Sequence, residues 1–191
     1  MRKSTLFSVA FAFVLGGAVG AFALLGKHAL GPTGFAGQSP RPQWNEVAWP
    51  FLVDQWGKGK AFHCAAEDCG TEVYLYLRAK IGFCNCTTGV ADDEELERLS
   101  DFDLMGTHIA NLGGGRPITV AWMKGRSRSY AFSGAARGGK SALSIAFNDR
   151  CDAIVATVVV GHDRAELIEP GALEFLNGKT VLRWAEVTLG L

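Results

Sequence analysis

The chain has no charge excess: 19 Lys and Arg balance 19 Asp and Glu over 191 residues. A neutral total gives no global pull toward a polyanion, so neither nucleic acid nor an anionic membrane surface is expected as an electrostatic partner. Methionine is scarce. There are three, and neither Met105 nor Met123 is near a cysteine, so the thioether ligands that suit copper(I) are not gathered. The five cysteines form no C-x-x-C, which excludes thioredoxin-type exchange, and no C-x-x-C-H, which excludes covalent haem. His63, His108 and His162 stand apart, and none sits in a nucleophile motif. The chain is therefore read as non-enzymatic and without a cofactor. His162-Asp163, at the end of a β-branched run, is a weak pointer to a functional loop. No internal repeat is visible.

Charge is missing altogether from the run that begins at Leu6 and ends at Leu25. Arg2 and Lys3 precede it, as in an export signal. Its 20 residues also suffice to span a bilayer. Two readings stand: a secretory signal cleaved near Ala21-Phe22-Ala23, or a retained inner-membrane anchor, which the length of the run favours. Both place the rest of the chain in the periplasm or beyond, where disulfides persist. Residues 1–26 are thus signal or anchor. Residues 27–43 are a Gly/Pro-rich linker. Residues 44–191 are the exported domain, and 48% apolar content suits a packed core.

That domain is organised around residues 62–86, which hold four of the five cysteines. Val73, Leu75, Leu77, Ala79, Ile81 and Phe83 alternate with more polar neighbours, which is the strand period. A bend is expected near Lys80-Ile81-Gly82, because an unbroken strand would be unusually long. Cys64 and Cys69 flank a short hairpin loop and are expected to pair. Cys84 and Cys86 are read onto one strand face, too far apart along it to bridge each other easily. Cys151 is the expected partner of one of them, leaving the other free. All five cysteines are candidate disulfide residues. The alternative is a periplasmic thiol- or copper(I)-handling protein using Cys84 and Cys86, since two thiolates suit a soft ion. C-x4-C followed by C-x-C does not fit structural zinc.

Upstream, Trp44, Trp49, Phe51 and Trp56 read as a strand or irregular lid on the core; an aromatic ligand platform lacks supporting polar groups. Residues 92–103 hold seven acidic residues against Arg98. Leu96 and Leu99 give helical spacing, the first acids suit a helix N-terminus, and a calcium loop's spacing is absent. Residues 118–123 and 129–132 are expected strands about a turn at Lys124-Gly125-Arg126. Residues 142–147 and 153–160 are further strands, residues 170–176 a short helix, and residues 180–189 a closing strand. Between 116 and 150 the balance turns basic, with Asp149 the one acid. Lys124, Arg126 and Arg128 are read as a solvated face, with docking onto the acidic segment as the other reading. The fold expected is mainly β: an antiparallel sandwich or partly open barrel with one or two short helices, preceded by an N-terminal hydrophobic helix.

Residues 134–141 match the phosphate-loop pattern G-x-x-x-x-G-K-[ST], ending in Lys140 and Ser141. The reading fails on context. The loop should open a long helix, whereas residues 142–149 read as strand, and only 50 residues follow Ser141. No nucleotide site is expected.

Ile118-Thr-Val, Lys124-Gly-Arg, residues 147–151, Ala172-Leu-Glu-Phe-Leu-Asn-Gly-Lys and Val187-Thr-Leu-Gly-Leu together resemble the invasion-associated locus B family of small exported proteobacterial proteins. That family carries paired cysteines in this region, where this chain has Cys151 alone. The resemblance brings no catalytic residues. The chain as a whole is expected to be a binding or structural protein of the cell envelope, with an envelope protein as the expected partner.

Overall fold

The structure, a computed structural model, describes residues 42–105, 109–132, 140–161 and 165–191. Eight strands form one sheet: β1 (Asn45–Val47), β2 (Lys60–Cys64), β3 (Val73–Lys80), β4 (Ile109–Asn111), β5 (Arg116–Val120), β6 (Met123–Phe132), β7 (Ser141–Asp149) and β8 (Asp152–Val160). Their order is β1-β2-β3-β8-β7-β6, and β4 and β5 pair with successive stretches of β6. Every pairing is antiparallel. The mainly antiparallel expectation is met. Among the described residues the layers over this sheet are helices and loops; the finer expectation was a sandwich or partly open barrel.

The central strands explain that layering. β7 and β8 are buried on both faces, and a strand covered on both sides reads as a continuous apolar run. One face carries Leu75, Leu77, Leu143, Ile145, Phe147, Ile154, Ala156 and Val158. These pack with helices α3 (Glu169–Leu176) and α4 (Lys179–Leu189) through Ala172, Leu176, Val181, Ala185 and Leu189. Each fully buried leucine or isoleucine here contributes about 1.5–3 kcal/mol. On the other face, helix α2 (Asp93–Leu99) lays Leu96 and Leu99 against Ala146, Ala153 and Val155. Phe102, in a single 3-10 turn (Phe102–Met105), packs on Tyr130 with ring centroids 4.4 Å apart.

Most local signals act as expected. The Asp92 carboxylate accepts from the Glu95 N–H at 2.8 Å and starts α2. β3 stops at Lys80, and Gly82, at φ 66°, turns the chain. Two expectations are corrected. Residues 180–189 form α4, not a closing strand. Val181, Ala185 and Leu189, four apart, are the buried positions, and that spacing is helical. The intervening residues also alternate in polarity, which made the strand reading possible.

The second correction is the β5–β6 turn. It lies at Ala121 and Trp122, with Ala121 at φ 52°, while Lys124, Gly125 and Arg126 belong to β6. Gly125 is there for space. A Cβ on it would lie 2.1 Å from the Ala146 carbonyl oxygen and 2.7 Å from Phe147 Cα. Gly125→Ala should therefore cost about 1–3 kcal/mol through backbone displacement. A urea midpoint equal to that of the native protein would rule this packing role out.

Residues 1–41, which include the expected hydrophobic helix, lie outside the described residues. Among the described residues no helix is long and apolar enough to cross a membrane.

Candidate functional site

Charge and aromatic residues converge at one end of β3. Arg78 and Lys80 project from the sheet face that also carries α2, and their side chains are 1% and 6% exposed. Arg78 Nη1 is 2.7 Å from Asp54 Oδ2 and 3.5 Å from Asp101 Oδ1. Lys80 Nζ is 2.9 Å from the same Asp101 oxygen. The segment after β1 folds over them. The Arg78 guanidinium carbon is 5.4 Å from the Trp49 ring centroid, and Lys80 Nζ is 5.5 Å from that of Trp56. Trp49 meets Phe51 and Tyr76 edge-on, and Trp56 meets Phe83. The aromatic segment is thus a lid, as expected, and its seat is a pair of buried cations.

The electrostatics of this cluster are close to balanced. Burial pushes the Asp101 carboxyl up from its ordinary 3.8, against the pull of Lys80 and Arg78. Partial burial acts the same way on Asp54, but the Trp56 N–H and the Arg78 guanidinium outweigh it and hold that carboxyl below 3.8. Arg78 Nε and Nη2 and Thr157 Oγ1 are buried without a hydrogen-bond partner among the described residues. Such donors call for ordered water. The two cations already have two carboxylate partners, an arrangement that fixes the lid to the sheet.

A second ionic layer joins α2 to β6. Asp93 pairs with Arg126, and its other oxygen accepts from the Gly115 N–H at 3.0 Å. Arg128 Nη1 is 2.6 Å from Glu97 Oε1. The basic strand is therefore the docking surface of the acidic helix, and the solvated-face reading of Arg126 and Arg128 is corrected; Lys124 alone of the three is exposed. Alternation along β6 could not reveal this, because a strand face looks the same whether water or a helix covers it.

These contacts set a pH response. The Gly115 N–H and the Arg126 guanidinium hold Asp93 below 3.8. Arg98 and the Asn85 N–H, against some burial, hold Glu95 below 4.5. Folding lowers both pKa values, so their stabilisation is present above these ordinary values and is lost as pH falls through the folded-state values. Asp93→Asn should be less stable than the native protein at pH 7 by about 1 kcal/mol. The gap should close as pH falls below 3.8. Urea titrations at pH 7 and pH 3 check this, and a gap that widens in acid would contradict it.

The cysteines divide as two bridges and one thiol. Cys64–Cys69 closes the β2–β3 connection, with Cα atoms 5.9 Å apart across the short helix α1 (Ala66–Cys69). Cys86–Cys151 joins the loop after β3 to the β7–β8 turn, 65 residues away in sequence. Cys84 is a buried thiol, so of the five candidate disulfide residues four are bridged. Cys84 and Cys86 lie in turns beyond β3 and not on one strand face. The copper pair is incomplete in this arrangement, because the Cys86 sulfur is in the bridge. Burial, with the nearby Glu95 and Asp152 carboxylates, pushes the Cys84 thiol up against the pull of Arg98.

His63 meets the Glu72 carboxylate and lies over Tyr74. Lys140 is exposed, and Ser141 opens strand β7. A strand in that place removes the helix a phosphate loop needs; residues 134–139, like His108, His162 and Asp163, lie outside the described residues. Sequence reading did not find the buried cluster. Its one signal was two cations on a strand whose neighbour β8 is apolar at nearly every position.

A groove of about 380 Å³ opens between the β1–β3 end of the sheet and α4. Phe62, Leu77, Val181, Trp184 and Val187 line its apolar part, and Glu46, Lys60 and Arg183 its charged part. Lys60 Nζ and Glu46 Oε1 are 2.5 Å apart there. The chain matches no protein-family model and no curated protein sequence.

Proposed function

We propose that this chain is an exported, non-enzymatic protein of the cell envelope, held at the inner membrane by the run from Leu6 to Leu25 or released by its cleavage, and that it binds an envelope protein partner. The observation that carries the reading is the Cys86–Cys151 bridge. Such a bond between distant loops forms and persists in an oxidising compartment, and Arg2 and Lys3 before an uncharged run supply the means of reaching one. The groove beside α4 supports the binding part, with an apolar floor and charges at its edge. The paired state of Arg78, Lys80, Asp54 and Asp101 supports a structural role for the buried cluster. The resemblance to the invasion-associated locus B family accords with the same class.

A reporter enzyme that matures only outside the cytoplasm, fused after Gly37, tests the address. Activity in the envelope fraction is expected. An inactive fusion, with the same segment joined to a cytoplasmic reporter fully active, would refute export.

A further inference from the structure

We propose that Cys84, Cys86 and Cys151 form an exchangeable set, in which Cys84 takes over Cys151 and releases Cys86 as a reactive surface thiol. Cys84 is not isolated. Its backbone N–H donates to the Cys151 carbonyl oxygen at 3.1 Å, and its Sγ lies 3.1 Å from the Arg150 carbonyl oxygen. By standard backbone dimensions, a single N–H···O=C bond of this length holds the two residues' Cα atoms roughly 5–6.5 Å apart, within the span a disulfide covers. Cys151 therefore has two cysteines within bridging reach, Cys84 on the buried side and Cys86 on the exposed side.

The step balances without an added oxidant. The Cys84 thiolate attacks Cys151 Sγ, the Cys84–Cys151 bond forms, and the Cys86–Cys151 bond breaks. Cys86 leaves as a thiolate and takes up the proton that Cys84 gave to solvent. One disulfide and one thiol stand on each side. The groups facing Cys84 set its rate: burial and the carboxylates of Glu95 and Asp152 disfavour the thiolate, and Arg98 favours it. Exchange is slow near neutrality and faster in alkali. Its product differs in kind from its starting state, because Cys86 is exposed where Cys84 is buried. The released Cys86 would take a thiol-reactive partner of small-molecule or protein kind as a mixed disulfide.

The test uses unreduced native protein held at pH 8.5 with a maleimide, then digested and mapped without reduction. On the minutes-to-hours scale of uncatalysed disulfide rearrangement, label is expected to accumulate on Cys86, with a Cys84–Cys151 linked peptide in equal amount. Label on Cys84, or no label and a lasting Cys86–Cys151 peptide alone, would overturn the proposal. Exported Cys86→Ser gives an independent reading. A Cys84–Cys151 bridge and no free thiol are expected. A folded variant with two free thiols would overturn the proposal while leaving export untouched.

Discussion

Cys151→Ser should lower the stability of the oxidised protein by about 4 kcal/mol, and Cys69→Ser by about 2 kcal/mol, from the dependence of loop-closure entropy on loop length. The first removes a bridge between residues 65 apart, the second one between residues five apart. The long bridge also joins the loop after β3 to the β7–β8 turn. The short one spans a connection that β2 and β3 already hold through five paired residues. Urea midpoints of the two variants, compared with the native protein under non-reducing conditions, decide the order. Equal losses, or a greater loss for Cys69→Ser, would count against it. Cys86→Ser should cost less than Cys151→Ser, because Cys84 can replace Cys86 but nothing replaces Cys151.

Asp101→Ala should cost about 3–5 kcal/mol, the range for leaving a buried charge without its partner. Lys80 would lose a carboxylate at 2.9 Å, and Arg78 would keep Asp54. The double substitution Lys80→Met/Asp101→Leu removes both members of the pair and fills similar volume. It should cost less than Asp101→Ala alone, since a buried pair adds little over apolar packing. A double variant less stable than the single one would show that packing, and not charge, is the source of the loss. Asp101 also has a pH signature opposite to that of Asp93. Burial raises its folded pKa against the pull of Lys80 and Arg78, so native stability falls as pH rises from 3.8 through the folded value, while the ionised carboxylate above that value still partners Lys80.

Legibility in the sequence followed the range of the interactions. β3, β7, β8, α2 and α3 were readable because period, caps and breakers are local. The Cys64–Cys69 pair was readable for the same reason, and chain geometry along a strand excluded a Cys84–Cys86 bond. α4 was misread because ten residues satisfied two periods, and only its packing on the sheet through Val181, Ala185 and Leu189 chooses between them. Gly125 looked like a turn residue, because the β7 backbone that crowds it is remote in sequence. The buried Arg78 cluster depends on three segments meeting, at Asp54, β3 and Asp101. No local pattern encodes that meeting. Single-sheet architecture was likewise hidden: what covers each face is a tertiary fact, visible in the sequence only as the nearly continuous apolar run of β8.

The most direct test of the account is a thiol count on protein taken from the envelope fraction, with thiols trapped in acid before denaturation. One free thiol per chain is predicted, on Cys84 or, after exchange, on Cys86, with Cys64–Cys69 intact. Five free thiols in that fraction would contradict the exported, disulfide-held protein described here.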